Sequence, residues 1–168
     1  MRVGTPGLLI STILFSLLAL ILMVPFIYAP GTFINLDGTS GILDHDWSVG
    51  QFIYALGDIL CHQETDRSFI INGSQMAICS RDIGLMIGSA VTLALTSYHM
   101  SKNPFTERRI VYLGPVLLLI AVIEWATGTM IGYDLAYLRF ISGSIGGAGI
   151  ALIIQHFISG IWKGEGAS

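Results

Sequence analysis

Charge is what this sequence has least of. Of its 168 residues, 11% are Asp, Glu, Lys or Arg, against about 25% in a soluble domain. So few charges cannot cover a surface that faces water, and lipid is left as the solvent. Basic tracts are missing too. The net charge is −3, which argues against a nucleic-acid partner. Two cysteines are too few for a disulfide framework, but enough for one bridge or half of a metal site. The 5 prolines and 20 glycines gather in no linker, and there is no low-complexity run or fixed-period repeat. The length leaves no room for an appended soluble module, so a single domain is expected over 1–168. What remains is apolar: 53% of residues are hydrophobic and the mean hydropathy is +0.73.

Read in order, the apolar stretches predict four membrane spans. Residues 7–29 carry no charge, and at ~1.5 Å per residue such a run crosses a hydrocarbon core of ~30 Å. A cleaved signal peptide would have a shorter apolar core of about 7–15 residues and a small residue two before its cleavage site. Ile27 stands there, so a retained helix is expected. Residues 32–50 carry Asp37, Asp44 and Asp46 and no Lys or Arg, the pattern of a loop outside the cytoplasm. His45 between two of these aspartates offers a weak cation site, but a solvated acidic loop is the simpler expectation. Residues 51–60 have apolar positions at helical spacing and are too short to span, which predicts a re-entrant or interfacial helix. An ordered polar loop follows to Arg81, with a turn at Asn72-Gly73.

The second span is expected at 82–99, with Ser80 as N-cap and Asp82 in the first turn. Lys102, Arg108 and Arg109 make the next loop the most basic, which places it in the cytoplasm. The third span covers 110–130 and carries Glu124. A connector at Gly132-Tyr133-Asp134 leads to the fourth, at 138–162, followed by Lys163. The scheme is a multi-pass protein of the cell membrane with both termini cytoplasmic. Its fold class is all-α: a four-helix membrane bundle carrying an outer Cys/His loop. Gly84 with Gly88, Gly143 with Gly147, and Ser142 with Gly146 are small residues four apart, the spacing at which helix backbones approach closely in lipid.

The chemistry concentrates at the start of the second span. Cys61 and His62 are adjacent, and Cys79 and Asp82 are three apart at a helix start. Thiolate, imidazole and carboxylate are ligands that zinc or another transition metal accepts, and a tetrahedral site takes four. A Cys61–Cys79 disulfide is the other reading. Closing ~18 residues would contribute roughly 3 kcal/mol in the chain-entropy model, as a staple or as a redox couple. Cys79 beside Arg81 at a helix N-terminus is expected to have a lowered pKa. Charges at membrane depth are costly and usually paired or functional. Glu124 and Arg139 fall at similar depth, so an Arg139–Glu124 or Arg139–Asp134 pair is expected. Arg67 and Arg81 lie on the outer side, against the usual trend. That calls for Asp58, Asp66 or Asp82 as partners, or for an anionic headgroup or substrate. His99 and His156 read as interfacial side chains rather than proton shuttles.

The segments Cys61-His62-Gln63, Arg67-Ser68-Phe69, Gly73, Gln75-Met76 and Cys79-Ser80-Arg81-Asp82-x-Gly84, with Leu138-Arg139-Phe140-Ile141-Ser142-Gly143 later, resemble a family of small polytopic membrane proteins of unknown function. Its members carry C-H-Q, then R-S-F, then C-x-R-C-x-G. The resemblance spans roughly residues 50 to 150. It implies a four-helix membrane protein, a Cys-rich site suggestive of metal binding, and no established activity. Asp82 stands where the family has a third cysteine. Glu124 is the nearest match to an aspartate of the family's third span.

Three functions therefore stand open. The first is transition-metal binding at the outer face by Cys61, His62, Cys79 and Asp82, in a small transporter or metal-handling factor, with Gln63, Arg67, Arg81, Glu124 and Arg139 in support. The second is a membrane thiol–disulfide protein using Cys61 and Cys79 with a quinone-like partner. The third is a structural subunit of a membrane complex. The bilayer is the expected partner in each, with a homo-oligomer or a larger complex left open.

Overall fold

The computed structural model describes residues 5–39, 43, 45–100, 107–132 and 135–165. Arg2, Asp44, Lys102, Tyr133 and Asp134 lie outside the described residues, as do the side chains of Arg108, Arg109, Trp162 and Lys163. The fold is all-α apart from one small hairpin. Its helices are α1 (Thr5–Ile27), α2 (Phe52–Leu60), α3 (Ser80–Met100), α4 (Glu107–Ile131) and α5 (Ala136–Glu165). The hairpin strands β1 (Ile70–Ile71) and β2 (Ser74–Gln75) lie between α2 and α3.

The long helices pack in the order α1, α3, α5, α4. Close approach explains the order. A Cβ placed on Gly84 would lie 2.2 Å from the Phe140 carbonyl oxygen, and one on Gly88 2.0 Å from that of Ser144. Across the same seam, a Cβ on Gly143 or Gly147 would lie 2.2 Å from the Arg81 or Leu85 carbonyl oxygen. These pairs advance together along both chains, so α3 and α5 run parallel with backbones touching. The small-residue rows seen in the sequence are the seam itself. Gly149 meets the Gly114 backbone and Gly146 meets Ala121, which sets α4 antiparallel to α5. Gly7 lies against Ser97, and Ser11 donates to the Ala90 carbonyl at 2.7 Å, which sets α1 antiparallel to α3.

Among the described residues, three helical stretches are long and apolar enough to cross a membrane: Pro6–Ile27, Tyr112–Ile131 and Ala136–Ser159. Their outward sides display residues such as Leu9, Ile13, Leu119 and Ile123, a surface suited to lipid and not to water. The 21 residues of α3 are less apolar for a structural reason. This helix lies between α1 and α5, so its surface meets protein more than lipid. Its hydroxyls bond across the seams: Ser89 Oγ donates to the Gly147 carbonyl at 3.0 Å, and Ser97 Oγ bonds Gln155 Oε1 at 3.1 Å.

Residues 28–79 fold over the bundle end that holds Ile27, Ser80 and Ala136. Asn72 and Gly73 both have positive φ, 52° and 68°. This is the backbone of a two-residue type I′ hairpin turn, which Asn-Gly favours. Ile70 pairs with Gln75 and Ile71 with Ser74. The Asn72 amide donates to the Pro25 carbonyl at 2.9 Å and ties the turn to the end of α1. Met76 and Ile78 pack with Leu18, Ile21 and Ile83, while Ala77 joins Val24, Phe33, Leu36 and Tyr54.

Two fully buried glutamines supply the hydrogen bonds that so short a sheet cannot. Gln75 accepts at Oε1 from the Leu36 N–H (3.2 Å) and the Thr65 hydroxyl (3.0 Å), and donates from Nε2 to the Gln63 carbonyl. Gln63 Nε2 donates to the Tyr54 carbonyl (3.2 Å) and the Ala77 carbonyl (2.7 Å). Buried backbone groups need partners, and these side chains stand in for neighbouring strands. The stretch 62–81 is thus a packed cap rather than a polar loop. Ser80 also differs from its expected role: its hydroxyl donates to the Arg67 carbonyl at 2.9 Å. The Cys79 carbonyl accepts the first helical bond, from Ile83 N–H at 3.2 Å, so Cys79 holds the cap position.

The seam makes a direct test. In Gly88→Ile the added atoms meet the Ser144 backbone, which cannot turn aside, and overpacking of this kind costs about 1–3 kcal/mol or more. The variant should melt well below the parent in detergent. Leu119→Ile on the lipid side should melt with the parent. Equal melting of all three would show that the α3–α5 contact is dispensable.

Candidate functional site

Three side chains meet where the cap joins the bundle. Cys61 ends α2, its N–H donating to the Gly57 carbonyl at 2.8 Å. Gly57 allows this join: a Cβ there would lie 1.8 Å from the Ala77 carbonyl oxygen. Cys79 caps α3, and Asp82 lies one turn on. Cys79 Sγ is 3.0 Å from Asp82 Oδ2, and the Cys79 N–H points at Cys61 Sγ, 3.4 Å away. One ligand atom from each of Cys61, Cys79 and Asp82 lies within 4.8 Å of the others. Both thiols are free. Cys61 is buried, whereas Cys79 and Asp82 are half-buried.

His62, the fourth ligand expected from the sequence, does not join this group. It is exposed, and its ring lies outside the set of ligand atoms that meet. It does line the same cavity of about 280 Å³, together with Cys61, Cys79, Asp82, Arg67, Arg81 and Arg139. Gln63 serves the cap, as described. Asp66 is exposed.

The electrostatics reverse one expectation. Cys79 was expected to be the acidic thiol, but its pKa is raised. The thiol–thiol hydrogen bond with Cys61 is the main cause, followed by burial and the Asp82 carboxylate. Cys61 is lowered instead. The same hydrogen bond favours its thiolate, and the Gln63 and Cys79 N–H groups assist against burial and Asp82. Of the two thiols Cys61 is therefore the one that gives up its proton more readily, and it lies against the N-terminus of α3, where the helix dipole suits a thiolate.

The guanidinium expected to act on Cys79 is engaged elsewhere. Arg81 reaches Glu124 on α4 at 3.2 Å, both side chains about a fifth exposed (18% and 21%). The sequence had pointed to Arg139 as the Glu124 partner; its other expected partner, Asp134, lies outside the described residues. Arg67 pairs with Glu64 at 2.6 Å. Asp58, 1% exposed, was a proposed partner for the outer arginines but holds a different element. It accepts from the Trp47 indole (2.8 Å), the His45 N–H (3.1 Å) and the His45 ring (3.2 Å). His45 is thereby tied to the cap rather than set in a solvated acidic loop. Nothing in the spacing of Trp47 and Asp58 signalled this latch; the only cue was a carboxylate inside the apolar run of α2.

With this geometry in view, the comparisons with known proteins fall into place. Residues 61–153, from Cys61 through Asp82, Glu124 and Arg139, match the family model described as "Predicted membrane protein (DUF2085)". The chain belongs to this family. An uncharacterized protein of Methanocaldococcus jannaschii, MJ1492, is 32% identical over 114 residues, which cover 66% of this chain and 72% of that protein. No solved structure matches. In this member of the DUF2085 family the match begins at the first site cysteine, so the site, α3, α4 and α5 as far as Ile153 fall within it, while α1 and the 28–60 part of the cap lie outside.

The Asp58 latch is sensitive to pH. Burial alone would raise its carboxyl, but the hydrogen bonds from Trp47 and His45, with the nearby His45 ring, hold it below the usual range. A depressed folded-state pKa contributes stability that is full above the unfolded value, about 3.9, and is lost as pH falls through the folded one. With Trp125 and Trp162 changed to Phe, Trp47 emission should shift to the red only in acid below about pH 4. Asp58→Asn should remove most of that dependence. A parent emission that stays constant into strong acid would contradict the latch.

Proposed function

We propose that this membrane protein binds a transition metal at its extracytoplasmic face, as a small transporter or metal-handling factor. Cys61, Cys79 and Asp82 serve as ligands. The observation that carries the reading is the convergence of two free thiols and a carboxylate within 4.8 Å of one another. Two soft donors and one hard donor suit zinc, and three protein ligands with an open position are the pattern of a site that exchanges ligands rather than a closed structural one. His62 on the cavity wall, water or an anion can take the fourth position. Arg67, Arg81 and Arg139 around the cavity offset the negative charge that two thiolates and a carboxylate would gather. With Asp82 among its ligands, this site is harder than an all-thiolate one.

The membrane arrangement belongs to the same reading. α3 crosses with the three more apolar helices, making four spans, and α2 lies in the interface with Phe52, Ile59 and Leu60 exposed. Both termini are then cytoplasmic. In a Cys61→Ser/Cys79→Ser background, a label at Asn103→Cys should react only from the cytoplasm and one at Ser40→Cys only from outside. Reaction of both from one side would sink the four-span scheme.

A second reading rests on the hydrogen bond between the two thiols. Cys61 and Cys79 are near enough to form a disulfide, giving up two protons and two electrons to a quinone-class acceptor, and such a pair would serve as a redox couple or a staple. Zinc titration separates the readings. The reduced parent should bind one zinc, Asp82→Cys should bind more tightly because a thiolate is the softer ligand, and Cys79→Ser should lose binding. His62→Ala should change affinity little unless the ring turns inward. Absence of binding by both the parent and Asp82→Cys would end the metal reading and leave the thiol pair.

A further inference from the structure

Two cavities meet at the site, and the metal reading uses only part of one. The first, about 280 Å³, is lined by Arg67, Arg81 and Arg139 and by the carboxylates Glu64 and Asp82, besides the thiols. The second, about 330 Å³, is an apolar crevice between α1, α2 and α3, lined by Leu17, Ile21, Ile53, Leu56, Leu85 and Met86. Leu60 and Asp82 line both, so the two spaces are neighbours. The crevice is of ligand size and nearly all apolar, with charged groups only at one end.

We infer that these spaces hold one anionic amphiphile, its phosphate-class head among Arg67, Arg81 and Arg139 and its apolar chain in the crevice. Charge placement carries the argument. Arg81 and Arg139 sit in the first turns of α3 and α5, where the helix dipole disfavours a cation. The parallel seam places those two positive helix ends side by side, so their fields add instead of cancelling. A third guanidinium, Arg67, borders the same space. Glu64 and Glu124 engage Arg67 and Arg81, yet both arginines still line the cavity, and a guanidinium has donors for more than one acceptor. An anion in that space faces two helix N-termini and three arginines against the two carboxylates Glu64 and Asp82, a balance that still favours phosphate. The crevice beside it, apolar except for Asp82 at the shared end, adds selectivity for a molecule that carries a chain. The inference holds with or without an ion on the thiols.

The test is native mass spectrometry of the full chain in detergent with phosphatidylglycerol and phosphatidylcholine of matched chains in equal amounts, with inorganic phosphate as a separate arm. The parent should retain phosphatidylglycerol selectively, and inorganic phosphate should not displace it. Arg139→Gln and Arg81→Gln should each lower that selectivity about fivefold, the effect of one basic group near an anionic headgroup. Arg139→Lys should keep most of it. Leu56→Trp, which fills the crevice, should lower retention without altering headgroup preference, so the inference does not hang on an arginine variant that fails to fold. Retention should survive a metal chelator, which separates this result from the metal reading. Equal retention of the two lipids would overturn the inference. So would full displacement by inorganic phosphate, the mark of a soluble-anion site.

Discussion

The contact on which the rest depends is the glycine seam between α3 and α5. Only glycine at 84, 88, 143 and 147 lets each helix touch the other's carbonyls at the distances seen. Lipid offers no hydrophobic drive between helices, so close backbone approach supplies the attraction. The seam begins at the first turn of α3 and the second turn of α5, where Gly143 meets the Arg81 backbone and Gly84 meets that of Phe140. Cys79, Arg81 and Asp82 are thereby brought beside the start of α5 and Arg139. A looser crossing would move one helix start away from the other and open the site.

The cap completes what the seam begins. Cys61 comes from α2, outside the long helices, and must be delivered to the α3 N-terminus from across the cap. Gly57 brings α2 against the Ala77 backbone, and Gln63, the second residue after Cys61, fastens to that same Ala77 carbonyl. Gly57 and Gln63 therefore fix the cysteine rather than bind anything at the site. The same delivery explains the uneven thiols. Cys61 arrives with its sulfur facing backbone N–H groups, whereas Cys79 faces a carboxylate and the other sulfur. Local surroundings, not position in the sequence, decide which thiol gives up its proton first.

The sequence revealed the greasy helices, because lipid demands composition and little else. It revealed the seam for the same kind of reason: a small residue every fourth position has few other uses. Cys79 and Asp82 could be paired from their place at one helix start, and Cys61 joined them only as the chain's other soft ligand. The cap was not legible. Its hairpin has two residues per strand, too few for any alternation to appear, and its order comes from glutamine side chains whose partners lie up to 39 residues away. The central place of α3 was also hidden, since a moderately apolar helix looks like a weak span until its neighbours are known. Charge pairing was only partly legible, because depth along a span says how far in a charge sits, not which helix faces it. Arg81, 43 residues from Glu124 in sequence, reaches it, a pairing the sequence did not suggest.

The central claim is that Cys61, Cys79 and Asp82 form one ligand set. Zinc K-edge X-ray absorption of the reduced, zinc-loaded protein reads that set directly. The account predicts two sulfur neighbours at about 2.3 Å and the remaining ligands at about 2.0–2.2 Å from nitrogen or oxygen, with Asp82→Cys raising the sulfur count to three. A zinc shell of nitrogen and oxygen alone, with the two thiols still free to alkylate, would contradict it.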